Sequence, residues 1–190
     1  MHEDIPRGLH LLMWLAWFAY WLVSARNVKQ TVRRETWKQR LLYLLPTLLV
    51  APIFLWNGLA MGLSGRMTDH PLAMYWVGTA LLAAGLLFSV WARRVLGRNW
   101  SGMVTVKQDH ELVEIGPYRF VRHPIYTGLL VAVSGSAISW NHWFGFYVLA
   151  VLFVALWLKL RREEAFMRET FGEKYAAYCA RTKRLVPWVF

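Results

Sequence analysis

"RHPIYTGLLVAVSGSAISWNHWFGFYVLAVLFVALWLKLRREE", Arg122 to Glu164, holds two charge-free apolar runs, Ile125–Trp140 and Trp143–Leu158, parted only by Asn141 and His142. Two polar residues between apolar runs of this length read as the tight turn of a helical hairpin. Pro124 suits the first helical turn, where its missing N–H would be unpaired in any case. Pro117 and Pro124 each bias the residue before them away from helix, so "GPYRFVRHP" (Gly116–Pro124) should be irregular or a single short turn. Gly128, Ala132 and Ser136 recur four apart in the first arm, with Ser134 and Gly135 beside them. That spacing lets a neighbouring helix come close, and packing within the hairpin is its expected use.

Upstream the pattern repeats. Leu9–Val23, Leu41–Leu63 and Leu72–Ala92 also carry no charge, and 57% of the 190 residues are hydrophobic, with 12 Trp. Soluble domains sit nearer half apolar, at about 45–50%, and a membrane helix needs roughly 20 apolar residues. The expected fold is an all-α integral membrane protein with five transmembrane helices, a loop before the hairpin and a C-terminal helical segment. It forms one domain over 1–190, with three helices in 1–92 and the hairpin, loop and tail in 93–190. The first run is read as a retained helix, because Met1–Pro6 carries Glu3 and Asp4 in place of a basic segment and "VSARN" ends in charge.

The charges orient the bundle. Of the 22 Lys and Arg, all but Arg7 and Arg66 fall in three places: the first loop, the segment Arg93–Arg122, and the tail from Lys159. Basic residues collect on the cytoplasmic side, which puts the N-terminus outside and the C-terminus in the cytoplasm. The net charge of +11 is then a matter of topology and of anionic lipid headgroups, and calls for no nucleic-acid partner. A single cysteine, Cys179, excludes an internal disulfide, and the histidines at 2, 10, 70, 110, 123 and 142 have no metal-ligand spacing.

Polar chemistry gathers on the cytoplasmic face. "RHPIY" makes a helix N-terminus whose partial positive charge, reinforced by Arg119 and Arg122, favours an anion. Glu163 and Glu164 follow the last apolar run. They can pair with Arg161 and Arg162 one turn away, or hold an amine or sulfonium, with Trp100, Tyr175 and Tyr178 as cation–π faces.

"LGRNWSG", "HELVEIGPYRFVRHPIYTG" and "EEAFMRETFGEKYAAYCARTKRLVP", in that order, resemble the isoprenylcysteine carboxyl methyltransferase family and its phospholipid methyltransferase relatives over Arg94–Pro187. The resemblance implies a membrane methyltransferase using S-adenosylmethionine, held on the cytoplasmic side by the pre-helix loop and the C-terminal segment. Carried over by position, it implies cofactor contacts at His110, Glu111, Leu112, Val113, Tyr118, His123, Pro124, Ile125, Tyr126 and Glu163. Where the family has a substrate-holding arginine four residues before that glutamate, Lys159 stands here, and Met103 replaces a glutamine some members carry. Lys159, Arg122 and Arg162 are the candidate substrate-side cations, and the implied substrate is a lipophilic small molecule or lipidated partner with a polar head. A carboxylate acceptor would need no base. An amine or thiol would, with Glu164, His110 or His123 in reach. Two other readings stay open: an NADPH-dependent membrane reductase resembling sterol reductases, and a non-catalytic binding module.

Overall fold

The structure, a computed structural model, describes residues 4–26, 28–38, 40–41, 43–45, 72–101, 105–107 and 111–187. Four of the five apolar runs fall in helices: α1 (Asp4–Ser24), α2 (Leu72–Leu96), α3 (Pro124–Trp140) and α4 (Trp143–Phe171). The remaining run, Leu41–Leu63, lies almost wholly outside the described residues. A short helix, α5 (Glu173–Arg181), closes the tail, and 3₁₀ turns occupy Gly97–Asn99 and Gly116–Arg119.

Local chemistry sets the breaks. α3 starts at Pro124, as its ring geometry favours. Asn141 ends it in the left-handed region (φ 52°), its N–H reaching the carbonyls of Ala137 and Ile138 at 3.2 Å. Gly172, also at φ 52°, ends α4, with its N–H 2.9 Å from Arg168 O.

The small residues of α3 do not serve the hairpin as expected. They face α2. A Cβ on Gly128 would sit 2.6 Å from Gly85 O and 2.8 Å from Ser89 N, and one on Gly135 would sit 2.5 Å from Gly78 O. The two backbones touch at both levels, which no side chain larger than hydrogen permits. The hairpin proper closes lower in the series, where Gly145 of α4 meets Ala137. α1 is hooked to this α2–α3 pair by polar contacts in apolar surroundings: Trp17 Nε1 donates to Ser89 Oγ (2.8 Å), Trp14 Nε1 to Ser136 Oγ (3.2 Å), and His10 Nε2 lies 2.8 Å from Thr79 Oγ1.

The outer faces are bare hydrocarbon. Leu11, Leu12, Leu15, Phe18 and Leu22 of α1 and Leu72, Trp76, Val77 and Leu87 of α2 are exposed. The helical stretch Leu72–Asn99 and helix α4 are long and apolar enough to cross a membrane, and Gly8–Ser24 and Pro124–Trp140 are shorter apolar helices. Apolar residues exposed along whole helix faces suit a lipid environment. The charge-free part of α4 ends at Leu158, so Lys159–Phe171 projects beyond it.

One element departs from an all-helical fold. β1 (Thr31–Arg34) pairs antiparallel with β2 (Thr105–Lys107), Thr31 opposite Lys107 and Arg34 opposite Thr105. β2 lies in the stretch expected only as the loop before the hairpin. Its Thr105 and Val106 stand opposite Arg34 and Arg33 of β1, and Lys107 opposite Thr31. The ribbon thus ties the loop after α1 to the loop before α3.

The glycine contacts generate a test. Gly128→Leu should destabilise the detergent-solubilised protein by at least the ~1–3 kcal/mol of ordinary overpacking, because backbone is what must move. Gly8, with nothing within 4 Å, should accept Ala without loss. Thermal unfolding of the two variants checks this.

Candidate active site

A cavity of about 460 Å³ opens where the charged ends of α3 and α4 meet α5 and the loop before α3. Trp17 and Trp21 of α1, Trp100, Tyr118, Tyr175 and Tyr178 make much of its wall. Polar groups converge on one side, from the first turn of α3 and the projecting end of α4.

Adjacent glutamates take opposite directions there. Glu164 turns inward, its side chain 2% exposed, among cations from three elements. Arg122 Nε donates to it at 2.9 Å and Arg184 Nε at 3.1 Å, with Arg184 Nη2 at 3.1 Å and Arg168 Nη2 at 3.8 Å. Arg122 also donates to the carbonyls of Cys179 and Thr182. These partners replace the local pairing with Arg161 and Arg162 expected from spacing. Glu163 stays 24% exposed and faces the cavity. It accepts a hydrogen bond from Tyr126 Oη at 2.6 Å and lies 3.5 Å from His123 Nδ1 and 4.0 Å from Lys159 Nζ.

His123 bridges the two carboxylates. Its Nδ1 is 3.5 Å from Glu163, and its Nε2 is 3.5 Å from Glu164 but off the hydrogen-bonding direction. Its ring stacks on Tyr126 with centroids 5.4 Å apart and planes 3° from parallel. Burial by itself would lower the imidazole pKa, but the hydrogen-bonding and charge of Glu163 and Glu164 outweigh it and raise it above the ordinary value. Burial likewise pushes the phenols of Tyr118, Tyr175 and Tyr178 up, so they remain neutral hydrogen-bonding groups.

The tail closes over this end. Val121 pairs with Lys183 in a parallel bridge, Arg122 N donates to Lys183 O (2.8 Å) and His123 N to Arg184 O (3.0 Å). Thr127 Oγ1 reaches Leu185 O at 2.7 Å, and Tyr178 Oη reaches Tyr118 O at 2.6 Å. The peptide N–H groups of Arg122 and His123, just ahead of α3, are therefore spent on tail carbonyls. Arg119 is exposed, beside the Phe120 ring.

Of the residues singled out in the sequence, Glu111, Leu112, Val113, Tyr118, His123, Ile125, Tyr126, Lys159, Glu163 and Arg122 line the cavity. Pro124 is buried behind them and Arg162 is not part of the lining. His110 and Met103 lie outside the described residues. Lys159 Nζ stands 5.6 Å from the Tyr126 ring centroid and 5.7 Å from that of Tyr43. Spacing did not reveal the part of α1: Trp17 and Trp21 reach the cavity from more than seventy positions upstream of the loop they face, with only an aromatic-rich helix as signal.

The phospholipid methyltransferase family model matches residues 73–174, more than half of the chain. Protein-S-isoprenylcysteine O-methyltransferase B of Arabidopsis thaliana is 25% identical over 121 residues, 60% of this chain and 61% of that protein. The cobalt-zinc-cadmium resistance protein CzcN of Cupriavidus metallidurans is 26% identical over 151 residues, 68% of this chain and 69% of its own. A solved structure of a eukaryotic intramembrane Ras methyltransferase, isoprenylcysteine carboxyl methyltransferase, aligns at a TM-score of 0.48 and 25% identity, covering 62% of this chain and 44% of that one. The chain spans 61–65% of the length of the isoprenylcysteine methyltransferases that it matches first.

Removing the Glu164 carboxylate should strand the buried guanidinium of Arg122 and take the partner from Arg184, which is 33% exposed. Glu164→Gln is expected to cost about 3–5 kcal/mol. Arg168→Ala, which removes a 59% exposed partner, should cost no more than about 1 kcal/mol. Denaturation of both variants in detergent gives the comparison.

Proposed function

The chain belongs to the phospholipid methyltransferase family, and we propose that it is a membrane methyltransferase using S-adenosylmethionine to methylate the polar head, a carboxylate, of a lipophilic acceptor. The observation that carries this reading is the division of labour between Glu163 and Glu164. One carboxylate is locked into the fold and the other is presented to a cavity walled by aromatic rings.

The residues present fit such a cofactor. Its ammonium and sulfonium call for a carboxylate and an aromatic face, which Glu163 and Tyr126 offer. Its heterocycle calls for flat apolar walls, and a cavity of about 460 Å³ is within the ~300–1,000 Å³ of small-molecule sites. Leu112 and Val113 would form the loop side of the enclosure and Tyr118, Ile125 and Tyr126 its floor. When bound, the cofactor supplies an electrophilic methyl group on sulfur.

The acid–base state of the site favours an acceptor that is already ionised. His123 lies between two carboxylates that raise its pKa, and Glu164 is engaged by Arg122 and Arg184, so neither is well placed to act as a general base. A carboxylate needs none near neutral pH. Lys159, on the cavity wall one turn before Glu163, would attract and orient it as a point charge, without the two-pronged grip an arginine would give. What remains for the protein is alignment of two reactants and exclusion of water where opposite charges neutralise. An apolar tail would leave the cavity past Trp17, Leu129 and Leu156 toward the lipid-facing surface. In this reading the protein crosses the membrane five times with its C-terminus and active site cytoplasmic.

Titration calorimetry of the protein in lipid nanodiscs with S-adenosylhomocysteine, and with NADPH alongside, tests the reading. Micromolar binding of the first, weakened at least tenfold in Glu163→Gln, a loss of about 1.4 kcal/mol, is the expected result. Binding of NADPH alone would turn the assignment to a reductase and overturn it.

A further inference from the structure

Asn99 is unused by this account, yet it lines the same cavity. Its Oδ1 is buried and makes no hydrogen bond with any described residue. A buried acceptor left unpaired costs about 1–3 kcal/mol, and nothing in the local backbone lets Asn99 escape. It ends the 3₁₀ turn Gly97–Asn99, which Gly97 opens at φ 55°. Arg93 Nη1 donates to Gly97 O at 2.6 Å while its Nη2 donates to Ser24 O of α1, also at 2.6 Å. Lys29 N donates to Arg98 O at 2.9 Å. The turn is thus pinned to two other parts of the chain while the one carboxamide oxygen on it stays unmatched. A fixed support under an unsatisfied acceptor marks a place for a ligand's donor.

Resting on the methyltransferase reading above, we propose that Asn99 is the residue that selects the base of the cofactor, its Oδ1 accepting the exocyclic amino group of adenine. Three kinds of donor exist on such a ligand. The ammonium carries full charge and belongs with a carboxylate, which Glu163 supplies on the other wall. The ribose hydroxyls both donate and accept, so they do not need a lone carbonyl. The 6-amino group only donates, and it sits beside a ring nitrogen that only accepts. A carboxamide presents the complementary pair on its O and NH₂, the same match by which Asn recognises an adenine edge in nucleic acids. Trp100, next in the chain and on the same cavity, offers the stacking face; Arg93 lies over its ring, 4.6 Å from the centroid.

The test compares S-adenosylhomocysteine with S-inosylhomocysteine, in which a ring carbonyl and N–H replace the amino group and acceptor nitrogen. Both are titrated into the same nanodisc preparation, so the ratio of their affinities does not depend on how much of a variant is folded. The wild-type protein should prefer the adenosyl ligand by roughly tenfold, which is about 1.4 kcal/mol. Asn99→Leu should bring the ratio close to one with both ligands still bound. Asn99→Asp, which keeps an acceptor oxygen, should retain the adenosyl preference. An unchanged preference in Asn99→Leu would overturn the assignment of Asn99 while leaving the cofactor reading intact. Failure of the wild-type protein to bind either ligand would overturn the cofactor reading, and this proposal with it.

Discussion

The buried cluster of Glu164 with Arg122 and Arg184 is the constraint on which the rest of this end of the molecule depends. It joins the segment just before α3, the projecting part of α4 and the chain after α5 at one carboxylate. Burying charges is costly, and such a cluster persists only when the geometry satisfies each member. Here Nη1 of Arg122 donates to the carbonyls of Cys179 and Thr182, so the guanidinium also fixes where α5 ends. With the tail fastened there, Tyr175 and Tyr178 become a wall of the cavity and Glu163, one residue earlier on α4, has a single direction left to point.

A second constraint works from the opposite side. The glycine contacts of α2 and α3 bring the end of α2 against the start of the site, because helices that touch backbone to backbone cannot slide or rotate freely. The turn after α2 therefore delivers Asn99 and Trp100 to the cavity, while α1, hooked by Trp17 to Ser89, brings its own tryptophans. Membrane-type packing on one end and a soluble-type ion cluster on the other hold the aromatic walls in register.

Much of this was legible in the sequence where backbone chemistry is local. Pro124 fixes its own φ and Asn141 tolerates the left-handed φ that ends a helix, and the breaks they announce lie where they were expected. The three blocks that carry the family resemblance also converge on one cavity, since their residues are tied by the direct demands of charge and hydrogen bonding. What could not be read was partnership across the chain. Small residues at four-residue spacing say that a helix will come close but not which one, and α2 was the helix that did. The threonine and valine of β2 announce extension without naming β1 as the partner. Likewise, the spacing of Glu163 and Glu164 suggests pairing one turn away, which Lys159 and Arg168 supply at 4.0 and 3.8 Å, whereas the nearer partners Arg122, His123 and Arg184 are brought in by the tertiary fold.

The central claim is that a site in which His123 and Glu164 are both engaged by charged partners methylates an acceptor that is already anionic. The direct measurement presents the protein in lipid nanodiscs with S-adenosylmethionine labelled in its methyl group and three single-tailed lipophilic acceptors that differ only in carrying a carboxylate, an amine or a thiol. Label should appear on the carboxylate as an ester, released as methanol by mild alkali. Alkali-stable label on the amine or the thiol, with none on the carboxylate, would contradict the account.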